Sequence, residues 1–327
     1  KRMFITGGVG AIHEDEKFGP DYFLPTDAYL ETCAAVGAGF FSQRMNQLTC
    51  NARYMDEVER VLYNNVLTGV SLSGDKYTYQ NPLNTDKPDR WEWHVCPCCP
   101  PMFLKIMAAM PGYIYAYQGD NVYVNLFIGS EVRVPVGKSN SVRLKQLTSY
   151  PWHGAVSIQV NPDKASTFSM KVRIPGWAQG TENPYDLYQS NLKAPVKLKV
   201  NQEDVLLRIV DGYAEINREW KKGDHIELEL PMQPRLITAN KAVENLRGQV
   251  ALASGPIIYC FEDADNPELQ TFKLQAQTPL ELSHDSNLLN GVNIIKCQGD
   301  IPAKAIPYYA VANREESHSY KVWIPQK

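Results

Sequence analysis

Two stretches of this chain carry residue types that can hold a metal or act as nucleophiles: Cys96-Pro97-Cys98-Cys99-Pro100-Pro101 and, far upstream, Glu31-Thr32-Cys33. Pro100-Pro101 suits a helix start, because first-turn amides have no intrahelical acceptor. Cys98 and Cys99 would then sit at the positive end of a helix dipole, where unpaired amides favour thiolate over thiol, and both sulfurs are expected to ionise easily. Zinc binds such soft anionic ligands and takes four of them, so the remaining ligands must come from elsewhere. Glu31 and Cys33 supply a carboxylate and a thiol two residues apart. On a helix those side chains diverge by about 200°, so residues 31–33 are expected to be extended or in a first turn, with the regular helix after them. Spacing alone leaves structural and catalytic metal both open. Cys96 and Cys99 also have redox spacing, but Pro97-Cys98 lies between them and no thioredoxin-like βαβ pattern surrounds them. Cys50, Cys260 and Cys297 read as small buried hydrophobes.

The elements that must position these groups change character near residue 115. Residues 34–47 and 52–67 carry apolar side chains at helical spacing, with Tyr54, Val58, Val61, Leu62 and Val66 on one stripe, and a third helix should run from Pro100 to Pro111-Gly112. Beyond residue 115, residues 122–127, 156–160, 168–174 and 226–230 alternate apolar and polar with period two, as antiparallel sandwich strands do. Residues 250–253 and 257–261 read as two more strands across the turn Ser254-Gly255-Pro256. The expected layout is a helical part over 1–115, a β-sandwich over 116–235, and a second β-sandwich or C-terminal β domain over 236–327.

With 33 Lys plus Arg against 36 Asp plus Glu, the formal charge is -3, which offers no field to attract nucleic acid. No apolar run approaches the roughly 20 residues of a membrane-spanning helix. The chain opens at Lys1 inside an ordered-looking segment, so an upstream part is expected. Self-association and compartment are left open.

Further motifs join the cysteines: Thr6-Gly7-Gly8-Val9-Gly10, Glu16-Lys17-Phe18, Leu24-Pro25 ahead of Glu31-Thr32-Cys33-Ala34, and Tyr79-Gln80-Asn81-Pro82-Leu83. The β part adds Arg173-Ile174-Pro175-Gly176-Trp177-Ala178 and Gly255-Pro256-Ile257-Ile258-Tyr259. Together they resemble glycoside hydrolase family 127 and its β-L-arabinofuranosidase relatives over nearly the whole chain. That resemblance implies the last part of an (α/α)6 barrel followed by antiparallel β-sandwich domains. It also implies a zinc ion held by Glu31, Cys33, Cys98 and Cys99, with Cys98 as nucleophile and Glu16 as general acid/base. Glu16 is otherwise part of a charge run, His13 to Phe18, of the kind that usually marks solvated surface. Tyr79 is implied near the sugar, and His13, on the same loop as Glu16, is a second candidate sugar contact. As an acid, Glu16 is expected to be buried close to other negative groups.

Met102 stands where relatives often have Asn, and the link from Leu83 to the cysteines is short, so the particular sugar is left open. Trp91, Trp93, Tyr77 and Tyr79 could stack on sugar faces or be ordinary core. The implied activity is retaining hydrolysis of a β-linked L-arabinofuranoside or related glycoside. The alternative is a carbohydrate-binding or scaffold protein with a structural zinc.

Overall fold

The computed structural model describes residues 1–93, 96–299 and 301–327. His94 and Val95 of the cysteine segment lie outside the described residues. The α-helices among the described residues are α1 (Thr32–Thr49), α2 (Arg53–Val61) and α3 (Cys99–Ala109). Among the described residues, no helix is long and apolar enough to cross a membrane.

Helix α1 buries Ala35, Val36, Gly39, Gln43 and Asn46, three and four residues apart, so one face meets α2 and α3. Gly39 allows the close approach of α3: a Cβ there would stand 3.1 Å from Ile106 Cδ1. The helix ends at Cys50 in the left-handed region, φ 51°. Cys50 is therefore half-exposed at the cap, its Sγ 3.7 Å from Gln118 Oε1, and not the buried apolar residue expected. Cys260 and Cys297 are buried, in agreement with expectation.

Helix α2 and the π-helical turn Leu62–Val66 that continues it place Val58, Val61, Leu62 and Val66 in one core with Ala35, Val36 and Ile106. Tyr54, expected on that stripe, is half-buried beneath the Arg53 guanidinium, and Met55 takes the core position. The other side of α2 is also buried: Glu57, Glu59 and Arg60 are each less than 9% exposed. The β layers that cover this side come from later in the chain, and a helical stripe cannot reveal them.

A six-stranded and a five-stranded sheet share a single core. In Ala155–Pro162, Val156, Ile158 and Val160 point inward, and the alternation recurs in Asn140–Thr148 and Asp224–Glu229. The pairing is antiparallel except where Asn121–Val124 runs parallel to Ser166–Arg173, which corrects the expectation of wholly antiparallel sheets. A long connection through the six-stranded sheet separates these two strands in sequence, so no hairpin constrains their direction.

The last third belongs to one ten-stranded sheet. Val250 and Leu252 face one core and Ala251 and Ala253 another, so this sheet is covered on both sides, which explains its unbroken apolar runs. It recruits Tyr188–Ser190 and, through Tyr320–Lys321, the short strand Asn84–Thr85. The helical part and the C-terminal part are therefore joined by hydrogen bonds.

Buried ion pairs make a second join. Arg173 is fully buried; its Nη1 is 2.7 Å from Asp56 Oδ1, its Nε donates to the Asn125 carbonyl at 2.5 Å, and it pairs with Glu59. Glu59 also accepts from Tyr150 Oη at 2.8 Å and Trp177 Nε1 at 3.2 Å. Burial, outweighing the nearby Arg173 charge, pushes Asp56 up to about 6. Breaking such a pair from one side leaves uncompensated buried charge. Arg173→Met should therefore lower the unfolding free energy by about 3–5 kcal/mol in urea denaturation, with partial recovery when Glu59→Gln is added. A loss under about 1 kcal/mol would show that this pair does not couple the layers.

Candidate metal centre and active site

Glu31 is the extended N-cap residue of α1, φ -61° and ψ 137°, and Cys33 lies in the first turn. The helix begins at Thr32, two residues earlier than a start beyond Cys33, yet the divergence problem is solved as expected because Glu31 stays outside the helical geometry. Cys98 is the N-cap of α3 and Cys99 its first residue. Two helix N-termini thus point at one place, each contributing partial positive charge.

The strap 77–81 holds this arrangement. The amide of Thr32 donates to the Tyr79 carbonyl at 3.0 Å, Thr32 Oγ1 to the Thr78 carbonyl at 2.8 Å, and buried Asn81 Nδ2 to the Leu30 carbonyl at 2.9 Å.

One ligand atom from each of Glu31, Cys33, Cys98 and Cys99 lies within 4.8 Å of all the others. Cys33 Sγ is 3.5 Å and Cys98 Sγ 3.8 Å from Cys99 Sγ; Glu31 Oε1 is 3.4 Å from Cys98 Sγ and 3.9 Å from Cys99 Sγ. A tetrahedron with zinc–sulfur bonds of ~2.3 Å has edges of about 3.8 Å, so the spacing fits a closed four-ligand shell. No disulfide links any of the cysteines. Cys96, the third member of the motif, is exposed and outside the group, its carbonyl accepting from the Cys98 amide at 2.9 Å.

Without a cation these thiols are harder to ionise than ordinary cysteine, which overturns the expectation from the helix dipole. Burial is the main cause, and the crowding of like groups adds to it: Cys99 is pushed up to about 12, and Cys33 and Cys98 also move up. A metal ion reverses the balance, since a coordinated thiol is deprotonated outright.

Glu16 lies on the loop that follows the glycines. Asp15 and Glu16 both have positive φ, 55° and 53°, in a turn clasped by the Ile12 and Lys17 backbones at 3.0 and 3.1 Å. Glu16 is exposed, so the expected burial is not met. Its Oε1 accepts from Tyr29 Oη at 2.7 Å and Tyr79 Oη at 3.2 Å. Burial raises both phenols, so they remain protonated donors. Tyr29 and Tyr79 share a packed cluster with Cys33, Cys98 and Cys99, which brings Glu16 and the sulfurs to one aromatic group. His13 Nε2 donates to the Asp27 carbonyl at 2.9 Å, and its ring meets the Tyr29 edge at 5.7 Å.

Tyr77 is buried, Trp91 stacks on Tyr79 at 5.9 Å and 17°, and Trp93 is 69% exposed. His13, Tyr79 and Trp91 also line a cleft of about 390 Å³ together with Val311, Ala312 and Tyr320. Sequence reasoning did not single out Tyr29. Its only signal was its place two residues ahead of a ligand candidate.

Helices, strap and sheets thus frame a carboxylate and three sulfurs beside a second carboxylate held by phenols. Sequence models of three domains of one enzyme family match the chain in order. They are the GH127 catalytic domain of β-L-arabinofuranosidase over residues 1–112, the GH127 middle domain over 121–232, and the glycoside hydrolase family 127 C-terminal domain over 234–325. The chain belongs to glycoside hydrolase family 127.

It is 31% identical to a non-reducing end β-L-arabinofuranosidase of Bifidobacterium longum over 366 aligned positions, covering 96% of this chain and 52% of that protein. A solved GH127 β-arabinofuranosidase superposes with TM-score 0.94 at 37% identity, over 100% of this chain and 54% of the other. A GH127 β-L-arabinofuranosidase from Geobacillus stearothermophilus T6 gives 0.92 at 35%, covering 100% and 55%. The chain spans about half the length of these relatives.

The raised thiols make metal uptake a proton-releasing step. Their pKa values lie above neutrality in the metal-free protein and must fall below it when a cation binds, so affinity should rise with pH. Calorimetric titration of zinc into metal-free protein at pH 7, in buffers of different ionisation enthalpy, should report release approaching one proton per cysteine ligand. Release near zero would exclude the cysteines as ligands.

Proposed function

We propose that this chain forms part of a zinc-dependent retaining glycoside hydrolase that releases L-arabinofuranose, or a closely related sugar, from β-linked glycosides. The observation that carries the reading is the convergence of Glu31, Cys33, Cys98 and Cys99, with Cys98 only half-buried and Glu16 tied to the same aromatic cluster. The names of the relatives supply the sugar. In this reading α1 to α3 are the closing helices of an (α/α)6 barrel, and residues 1–115, 116–235 and 236–327 are its three working units.

Zinc held by Glu31, Cys33, Cys98 and Cys99 would supply the positive charge that keeps the cysteine sulfurs ionised near neutral pH. The Cys98 sulfur attacks the anomeric carbon, and the bond from that carbon to the leaving oxygen breaks. Glu16 gives its proton to that oxygen. In the second half, water attacks the same carbon, Glu16 takes the water's proton, and the carbon–sulfur bond breaks to restore Cys98. Glu31, Cys33 and Cys99 stay in place while Cys98 reacts. Tyr79 and His13 stand at the sugar, Tyr79 through the hydroxyl that also reaches Glu16.

Two substitutions test these roles in the full-length protein on aryl β-L-arabinofuranosides. Cys98→Ser should abolish turnover while zinc content, measured by atomic emission, falls only in part. Full activity in that variant would end the nucleophile assignment. Glu16→Gln should slow substrates with poor leaving groups by roughly 10²–10⁴ but spare kcat/KM for strongly activated ones. Equal slowing of both would remove Glu16 from the acid role.

A further inference from the structure

Glu16 and Tyr29 differ in how firmly they are held. The carboxylate hangs from an exposed turn with two successive left-handed residues, and its three side-chain torsions are confined only where the carboxylate finds partners. Tyr29 is 4% exposed, its ring edge-on to His13 at 5.7 Å and to Tyr79 at 6.0 Å. Backbone bonds fix the peptide that follows it at both its ends: the Leu30 amide donates to the Gly10 carbonyl at 2.9 Å, and the Asn81 amide donates to the Tyr29 carbonyl at 3.3 Å. Its hydroxyl makes the shorter of the two phenolic bonds to Glu16 Oε1, 2.7 Å against 3.2 Å from Tyr79.

We infer that Tyr29 is the positioning residue of the acid/base group, clamping Glu16 through Oε1 so that Oε2 is the oxygen offered to the glycosidic bond. This rests on the reading of Glu16 as acid/base and adds to it the part that aims it. A carboxyl oxygen that already accepts two O–H donors has no room for a proton of its own unless a donor leaves. The transferable proton therefore resides on Oε2, on the side away from the phenols. The same clamp returns Oε2 to position when Glu16 must take a proton from water. Tyr79 shares the oxygen at the longer distance, so Tyr29 sets the direction and Tyr79 supports it.

Tyr29→Phe keeps the ring and its edge contacts and removes only the hydroxyl. The test is kcat/KM for the full-length protein on a series of β-L-arabinofuranosides running from nitrophenyl to alkyl leaving groups, with thermal denaturation run alongside. Loss of one hydrogen bond to a charged group should cost roughly tenfold on the poorest leaving groups and under about twofold on the most activated, so dependence on the leaving group steepens. In the double variant, Tyr29→Phe should add nothing to Glu16→Gln, since it acts through that carboxyl.

A uniform loss, or none, in Tyr29→Phe beside a leaving-group-dependent Glu16→Gln overturns the positioning role and leaves Glu16 standing. A Glu16→Gln effect blind to the leaving group overturns the acid/base reading, and the Tyr29 role with it. Unaltered protein that turns over no member of the series removes both.

Discussion

Three thiols and a carboxylate brought within 4.8 Å of one another form the constraint on which this structure turns. Four potential anions cannot share so small and largely desolvated a volume unless they stay protonated or a cation joins them. The upward displacement of all three thiols expresses the first condition; the near-tetrahedral spacing is suited to the second. Holding such groups together in the metal-free state costs free energy, so the surrounding structure must be stiff enough to prevent their separation. The backbone supplies that stiffness. Each ligand pair sits at the start of a helix, where φ and ψ are fixed by the turns that follow, and the strap 77–81 is bonded to residues 30–32 by backbone and buried side-chain groups alike.

The β layers serve the same end at longer range. Helix α2 lies between the helices that present the ligands and the sheets that follow, and it is polar where a helix in a simple bundle would be apolar. Glu59 and Asp56 grip Arg173 from the five-stranded sheet, while Arg60 binds Glu57 and the carbonyl of Glu182, whose carboxylate holds Arg235 at 2.6 and 3.0 Å. Such pairs gain little over well-packed apolar residues in stability, but they are directional, so a slide of helix against sheet breaks them. Asn84–Thr85, paired with Tyr320–Lys321, ties the segment leading to the cysteines to the ten-stranded sheet.

What could be read from the sequence follows from what is local. Cys98-Cys99 before Pro100-Pro101 announced a helix start with two sulfurs on it, and Glu31 with Cys33 announced a carboxylate and thiol that no regular helix could aim together. Both are statements about a few consecutive residues, and both hold. The alternation in residues 156–160 and 226–230 exposed the sandwich strands for the same reason. The failures are non-local. Ease of ionisation was judged from the helix dipole, yet desolvation by distant chain decides it. The burial of Glu57, Glu59 and Arg60 leaves no mark on the helix itself, because the partners that meet Glu59 and Arg60, Tyr150, Arg173 and Glu182, arrive 91 to 122 residues later. The parallel pairing of Asn121–Val124 and the recruitment of Tyr188–Ser190 into the last sheet are likewise properties of topology that leave no mark on the strands themselves. Cys50 was misplaced by its neighbours' apolar character, when its φ of 51° puts it at a cap.

The Glu16 turn departs from local preference most openly, and the departure has a physical use. Two successive non-glycine residues at positive φ cost of order 1–3 kcal/mol each and persist only where the surroundings over-determine them. Here the Ile12 and Lys17 clasp closes the turn, and the salt bridge of Lys17 with Asp15 at 2.8 Å lies on its solvent side. A relaxed turn could not be relied on to keep Glu16 beside Tyr29 and Tyr79, because an exposed carboxylate gains more from water than from any single phenol. The clasped turn removes competing backbone conformations in advance, so that two modest hydrogen bonds suffice to hold the carboxylate against solvent. The metal group and the acid loop thus use opposite means to one end. Burial immobilises the sulfurs at the expense of their ionisation, whereas the turn places the Glu16 backbone and the two phenols hold its carboxylate while leaving it open to water.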